Sequence, residues 1–335
     1  SINMAMQPFK MMVGDMVNEK QKGLAYSIQS FLCNAGSLVG FLFPFIFTWI
    51  GISNIAPQGV VPDSVIYSFY IGAAILILCV IYTTVKVKEM PPAEYAEYHG
   101  ITEEEKKEKI NMVKLLVKAP KAFWTVGLVQ FFCWFAFMFM WTYTNGSVAA
   151  NVFDAPTVET VVNGASKIVL DTKSIQYQNA ADWVGVLFAV QAIGSVLWAV
   201  CIPMFKNRKL IYSLSLVLGG IGFISTYFVH NQYVLFISFL LIGCAWAAML
   251  ALPFTILTNA LSGGHMGTYL GLFNGTICIP QIVAATLGGS ILALFTPKGM
   301  LPPEINMLVM AGVMLIIGAV CVYLIKETKG EQAKA

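Results

Sequence analysis

The chain has 335 residues, of which 58% are hydrophobic and 11% charged, with a formal net charge of +3 and a mean hydropathy of +0.74. Soluble domains carry about 25% charged residues, so this composition belongs to the membrane class. The seven cysteines fall in apolar runs without metal or disulfide spacing, His99, His230 and His265 lie in connections, and nothing in the charge pattern suits nucleic acid.

A bilayer is crossed by about 20 apolar residues. Runs of that kind occur near 1–17, 24–50, 66–86, 122–146, 183–204, 210–229, 233–261, 266–296 and 305–325, which predicts nine spans. The first opens as "SINMAMQPFK", already inside an apolar run, so an N-terminal truncation is expected. Lysine and arginine test the assignment. Connections 18–23, 86–121, 205–209 and 262–265, with the tail from 326, hold sixteen of the twenty; the opposite side holds Lys167, Lys173 and Lys298. The positive-inside rule therefore makes the first group cytoplasmic, together with the C-terminus.

In chain order, the first span carries Asn3, Gln7 and Lys10 on one face, by four-then-three spacing. A charge at a helix centre costs roughly 2.5–3.5 kcal/mol on insertion scales, which marks Lys10 as a cavity or coupling residue. Asp15, at the cytoplasmic mouth, is read as a charge partner in an inner gate. The second span has a stripe of Ser27, Ser30, Asn34 and Ser37. The 87–120 connection contains "ITEEEKKEKINMVKLLVKAP", where Thr102 and Glu105 form a capping box and Pro120 follows the end, predicting a helix along the membrane surface.

Gln130, Trp134, Phe137 and Trp141 share a face of the 122–146 span. Indoles beside an amide suit a sugar, whose C–H face stacks on rings while its hydroxyls take hydrogen bonds. Residues 147–182 read as a polar outer connection without helical period, and Asp182 as the cap of the next span. That span carries Gln191 and Ser195. In 266–296, Gly271, Asn274, Cys278 and Gln281 step by three, four and three, a stripe unsuited to lipid.

An internal repeat relates two of these stripes. "PFKMMVGDMVNEKQKGLAYSIQSFLCNAGSLVG" from Pro8 aligns with "PFTILTNALSGGHMGTYLGLFNGTICIPQIVA" from Pro253 after a one-residue gap. Ser27, Ser30, Asn34 and Ser37 then fall opposite Gly271, Asn274, Cys278 and Gln281. The second copy has three spans before its "PF" helix and the first has none, so the chain is expected to hold helices 4–12 of twelve. The halves divide as 1–86 and 121–326, joined by a linker at 87–120 and followed by a tail at 327–335.

Five segments carry a family resemblance: "SINMAMQPFKMMVGDMVNEKQKG", "QFFCWFAFMFMWTYT", "NAADWVGVLFAV", "GCAWAAMLALPFTIL" and "GTYLGLFNGTICIPQI". Together, and in this order, they resemble the sucrose-transporter-like, glycoside-cation symporter branch of the major facilitator superfamily. The resemblance implies an all-α, polytopic protein of the inner or plasma membrane. It implies import of a sugar, a disaccharide such as sucrose or maltose, by alternating access with proton symport. No cofactor beyond the coupling proton is expected, and the partners are the sugar and the bilayer, with the protein a monomer. The family's acidic coupling residue would fall just before Ser1, and Lys10 stands where the family usually has arginine. An enzyme would need a nucleophile with a base or a metal cluster. No such constellation occurs in the sequence.

Overall fold

In a lipid environment every backbone polar group needs an internal partner, so long apolar runs fold as helices. A computed structural model of the chain describes residues 21–52, 63–88, 112–162, 165–260, 266–297 and 299–325, with a few isolated positions. The helices are α1 (Lys22–Trp49), α2 (Asp63–Lys86), α3 (Met112–Lys118), α4 (Lys121–Asn151), α5 (Ile175–Cys201), α6 (Arg208–Ser225), α7 (Leu235–Ala260), α8 (Met266–Phe273), α9 (Gly275–Phe295) and α10 (Ile305–Cys321). Short 3-10 turns extend α5 through Ile202–Met204 and α10 through Val322–Leu324.

Among the described residues, seven helical stretches are long and apolar enough to cross a membrane: Asp63–Lys86, Lys121–Asn151, Ile175–Met204, Arg208–Ser225, Leu235–Thr258, Gly267–Phe295 and Ile305–Leu324. These match the last seven predicted spans, and the 28-residue α1 occupies the predicted 24–50 span. The predicted span at 1–17 lies outside the described residues, as do Thr102 and Glu105. Of the predicted surface helix, α3 is described, and Tyr269 Oη donates to Leu115 O at 3.3 Å, tying α3 to α8.

Two expectations are corrected at the outer connection. The connection expected at 147–182 holds regular structure: α4 continues to Asn151, and β1 (Thr157–Val162) pairs antiparallel with β2 (Ala165–Leu170), from Thr157 opposite Leu170 to Val162 opposite Ala165. The β-branched residues Thr157, Val158, Thr160, Val161, Val162, Ile168 and Val169 favour a pleated strand. The next helix begins well before Asp182, because Ser174 caps it by accepting from Tyr177 N at 3.3 Å. Asp182 sits two turns inside α5.

Helices α4 and α7 form the centre, each with 67% of its best membrane window buried, whereas α2 has 6%. In membranes, small residues let helix backbones approach closely. Gly194 of α5 and Gly243 of α7 meet in this way. A Cβ on Gly194 would lie 2.6 Å from Leu240 O, and one on Gly243 would collide with Gln191 O. Gly220 of α6 and Gly312 of α10 make an equivalent contact, each Cβ position falling within 2.9 Å of the other's carbonyl. Helix α1 instead meets its neighbours through rings: Tyr26 on Phe254 of α7 at 6.3 Å and Phe41 on Phe188 of α5 at 5.8 Å.

Candidate substrate site

The 4-3-4 spacing of the α4 face brings Trp134, Phe137 and Trp141 onto one side of the helix, and α7 supplies a fourth ring, Trp246. Trp246 lies 5.8 Å from Trp134, 4.8 Å from Phe137 and 5.7 Å from Trp141 between ring centroids. Trp134 and Trp141 are themselves 6.4 Å apart. These separations are those at which aromatic pairs attract. Trp134 and Trp246 both lie near the middle of their helices, so the aromatic wall stands at mid-membrane depth. It grades outward, with Phe137 fully buried, Trp134 8% exposed and Trp141 43% exposed.

The polar atoms beside the wall are incompletely used. Trp134 Nε1 is buried without a hydrogen-bond partner, and so is Gln130 Oε1. Gln130 Nε2 donates to Met249 O at 2.9 Å. That carbonyl is available because Pro253, four residues on, has no N–H to offer it. Gln130 therefore ties α4 to the proline turn of α7 with its nitrogen and keeps its oxygen unspent. A buried polar atom left unpaired costs about 1–3 kcal/mol, so these atoms favour a polar ligand.

The other described candidates fall into three groups. Gln191 and Ser195 are buried at the glycine crossing of α5 with α7, and Ser195 Oγ has no partner. Ser30 and Asn34 are buried on α1, the helix that packs on α5 and α7. Asn34 Nδ2 donates to Ser30 O at 2.7 Å, a bond within its own helix, while Asn34 Oδ1 is unpaired.

Asn274 stands at the junction of α8 with α9, where its N–H is shared between Leu270 O and Gly271 O at 3.2 Å each. Its Oδ1 is buried and unpaired. Gln281 is half-buried, and both flank the seam along which Ile277, Pro280, Ala284 and Gly288 are buried. The seam faces α4: Cβ positions on Gly127 and Gly288 would touch Thr276 and Tyr143 Oη, respectively. Helices α1 and α9 thus pack on different partners, α5 and α7 for the first and α4 for the second. Asn3, Gln7, Lys10 and Asp15 lie outside the described residues.

Sequence reasoning had given Trp246 no role. Its signal was available: one large ring between Gly243, Cys244, Ala245 on one side and Ala247, Ala248 on the other.

Bundled apolar helices of this length, packed through glycine crossings and rings, define a multi-pass membrane protein. The major facilitator superfamily profile matches residues 3–166 and, a second time, 157–335. The chain belongs to that superfamily, whose members are transporters and not enzymes. Among solved structures it is similar to a single-residue variant of the Escherichia coli fucose:proton symporter, at 14% identity and a TM-score of 0.57, covering 95% of this chain and 72% of that one. No curated protein matches it.

Proposed function

We propose that this transporter carries a sugar by alternating access, with a disaccharide such as sucrose or maltose as cargo and the proton as coupling ion. The observation that carries this reading is the wall of Trp134, Phe137, Trp141 and Trp246 beside the unpaired Trp134 Nε1 and Gln130 Oε1. Rings offer a flat apolar surface to the C–H face of a sugar, and the unpaired atoms suit its hydroxyls. The solved relative is named as a fucose:proton symporter, which agrees in cargo class and coupling ion. In this reading Asn3, Gln7, Ser30, Asn34, Gln191, Asn274 and Gln281 add hydrogen-bonding groups around the cavity, and Lys10 and Asp15 serve coupling and the inner gate. The protein works as a monomer in the cell membrane with its C-terminus in the cytoplasm.

The test is uptake of labelled sugars into proteoliposomes containing the full-length protein. Sucrose or maltose should accumulate with an inward proton gradient, and Trp246→Ala should weaken that uptake. Accumulation driven by sodium alone would remove proton coupling. Uptake of a non-sugar solute, with every tested sugar ignored, would overturn the cargo assignment.

A further inference from the structure

Glu304 precedes α10 in the sequence "LPPEIN". A short acidic side chain at that position ordinarily accepts from the first N–H groups of its own helix. Glu304 makes no such bond. Its carboxylate lies instead against α4, in the space that a Cβ on Gly146 would fill. Tyr143, one turn earlier on α4, and Tyr177 of α5 both face it closely enough to feel its charge. Asn145 donates through Nδ2 to Tyr177 Oη at 2.9 Å, while its own Oδ1 is buried and unpaired. Three helices thus converge on one acid, at the end of the bundle that the lysine distribution makes external.

We propose that Glu304 is a proton-binding site on the outer side of the protein, and that its protonation tightens the corner where α4, α5 and α10 meet. The ligand is a single proton taken from the external water. Tyr143 and Tyr177 are the titratable groups that face it, and both are neutral around pH 7. Among the described residues no basic group offsets the burial, which pushes the Glu304 carboxyl up to about 7; Lys298, on the same connection, lies outside them. Protonation adds a donor to a cluster that already holds an unpaired acceptor, Asn145 Oδ1. Ionisation places a charge against helix backbone with no cation beside it among the described residues, which favours opening towards water. The glycine at 146 is what admits the carboxylate, and any larger residue would expel it.

The site is tested without a transport substrate, so its outcome is independent of the cargo. Infrared titration of the full-length protein in lipid nanodiscs follows the band of protonated carboxyl groups. A component with a midpoint within about one unit of pH 7 is expected in the wild type and should be missing from Glu304→Gln. Gly146→Ala should move that midpoint down towards the ordinary glutamate value of about 4.3. It decides the question even if Glu304→Gln fails to assemble. Thiol labelling reads the corner itself: a cysteine at Asn151, at the end of α4, should react several-fold faster at pH 8 than in the same protein carrying Glu304→Gln. A wild-type midpoint near 4.3, a titrating band that survives in Glu304→Gln, or equal labelling in the two backgrounds would each overturn the proposal.

Discussion

Gln130 donates to Met249 O at 2.9 Å, and Met249 O is the carbonyl that Pro253 leaves without a helical donor. A side chain from α4 thus repairs the backbone of α7. Removing it strands a buried carbonyl at a cost of about 1–3 kcal/mol. Gln130→Ala should lower the Tm of the detergent-solubilised protein. In a Pro253→Ala background, where residue 253 regains its N–H, the same substitution should cost distinctly less. Equal losses in both backgrounds, read from thermal melts in a double-mutant cycle, would dissolve the link between the two residues.

The aromatic wall predicts a graded series at Trp246. Aromatic pairs contribute about 0.5–1.5 kcal/mol each beyond burial, and Trp246 has three such neighbours. Losing those pairs should lower the Tm, and if the wall also stacks on sugar, Trp246→Ala should raise the apparent KM several-fold and Trp246→Phe less. Uptake kinetics that treat the two variants alike would count against stacking.

Glycine spacing makes a prediction about assembly. A Cβ on Gly243 would meet Gln191 O and Ser195 N, which are backbone atoms that cannot swing aside. Gly243→Ala should therefore destabilise by about 1–3 kcal/mol or prevent assembly. Gly185, also helical, has nothing within 4 Å of its Cβ position. Gly185→Ala should be tolerated and gain up to about 1 kcal/mol from helix propensity. Comparative melting of the two variants checks the contrast.

Asn274 and Gln281 should each raise the apparent KM several-fold when replaced by alanine, with expression maintained. Losing one hydrogen bond to a bound hydroxyl weakens binding by roughly 0.5–1.5 kcal/mol. Cysteines at the same positions should be shielded from thiol reagents by the transported sugar. Unchanged KM with lost expression would assign both amides to packing.

Glu304 also sets a sign for stability against pH. Burial raises its pKa from the ordinary glutamate range to about 7, so between those values the folded protein binds more protons than the unfolded chain. Stability from this group is therefore greatest at low pH and declines as pH rises through that window. The full effect is on the order of 3 kcal/mol, at 1.36 kcal/mol per unit. The Tm of the wild type should fall relative to Glu304→Gln from pH 5 to pH 8, and parallel curves would contradict the burial.

Hydropathy made the spans readable because each needs only a run of apolar residues of sufficient length, a local property. The α4 stripe was readable for the same reason, since 4-3-4 spacing fixes a face regardless of partners. Trp246 was not, because its importance comes from rings more than a hundred residues earlier in sequence. The hairpin escaped because twelve strand residues inside a polar connection carry a much weaker signal than a span. Asp182 misled because an acid at the edge of an apolar run imitates a cap, whereas the polar first turns of α5, from Ile175 to Asp182, continue the helix beyond the apolar core. Glu304 carries no spacing or motif signal in the sequence, because only Gly146, on another helix, shows where its carboxylate goes.

The glycine crossing of α5 with α7 has a mechanical consequence. Where backbone rests on backbone there is no layer of side chains to shear, so this crossing holds α5 to α7 more rigidly than the ring contacts beside it, Trp183 on Phe236 and Phe188 on Phe239. The contacts of α1 with the same helices, Tyr26 on Phe254 and Phe41 on Phe188, are ring against ring and can slip by rotamer changes. A displacement of one part of the bundle over another would slide most easily along α1, with α5 and α7 moving together.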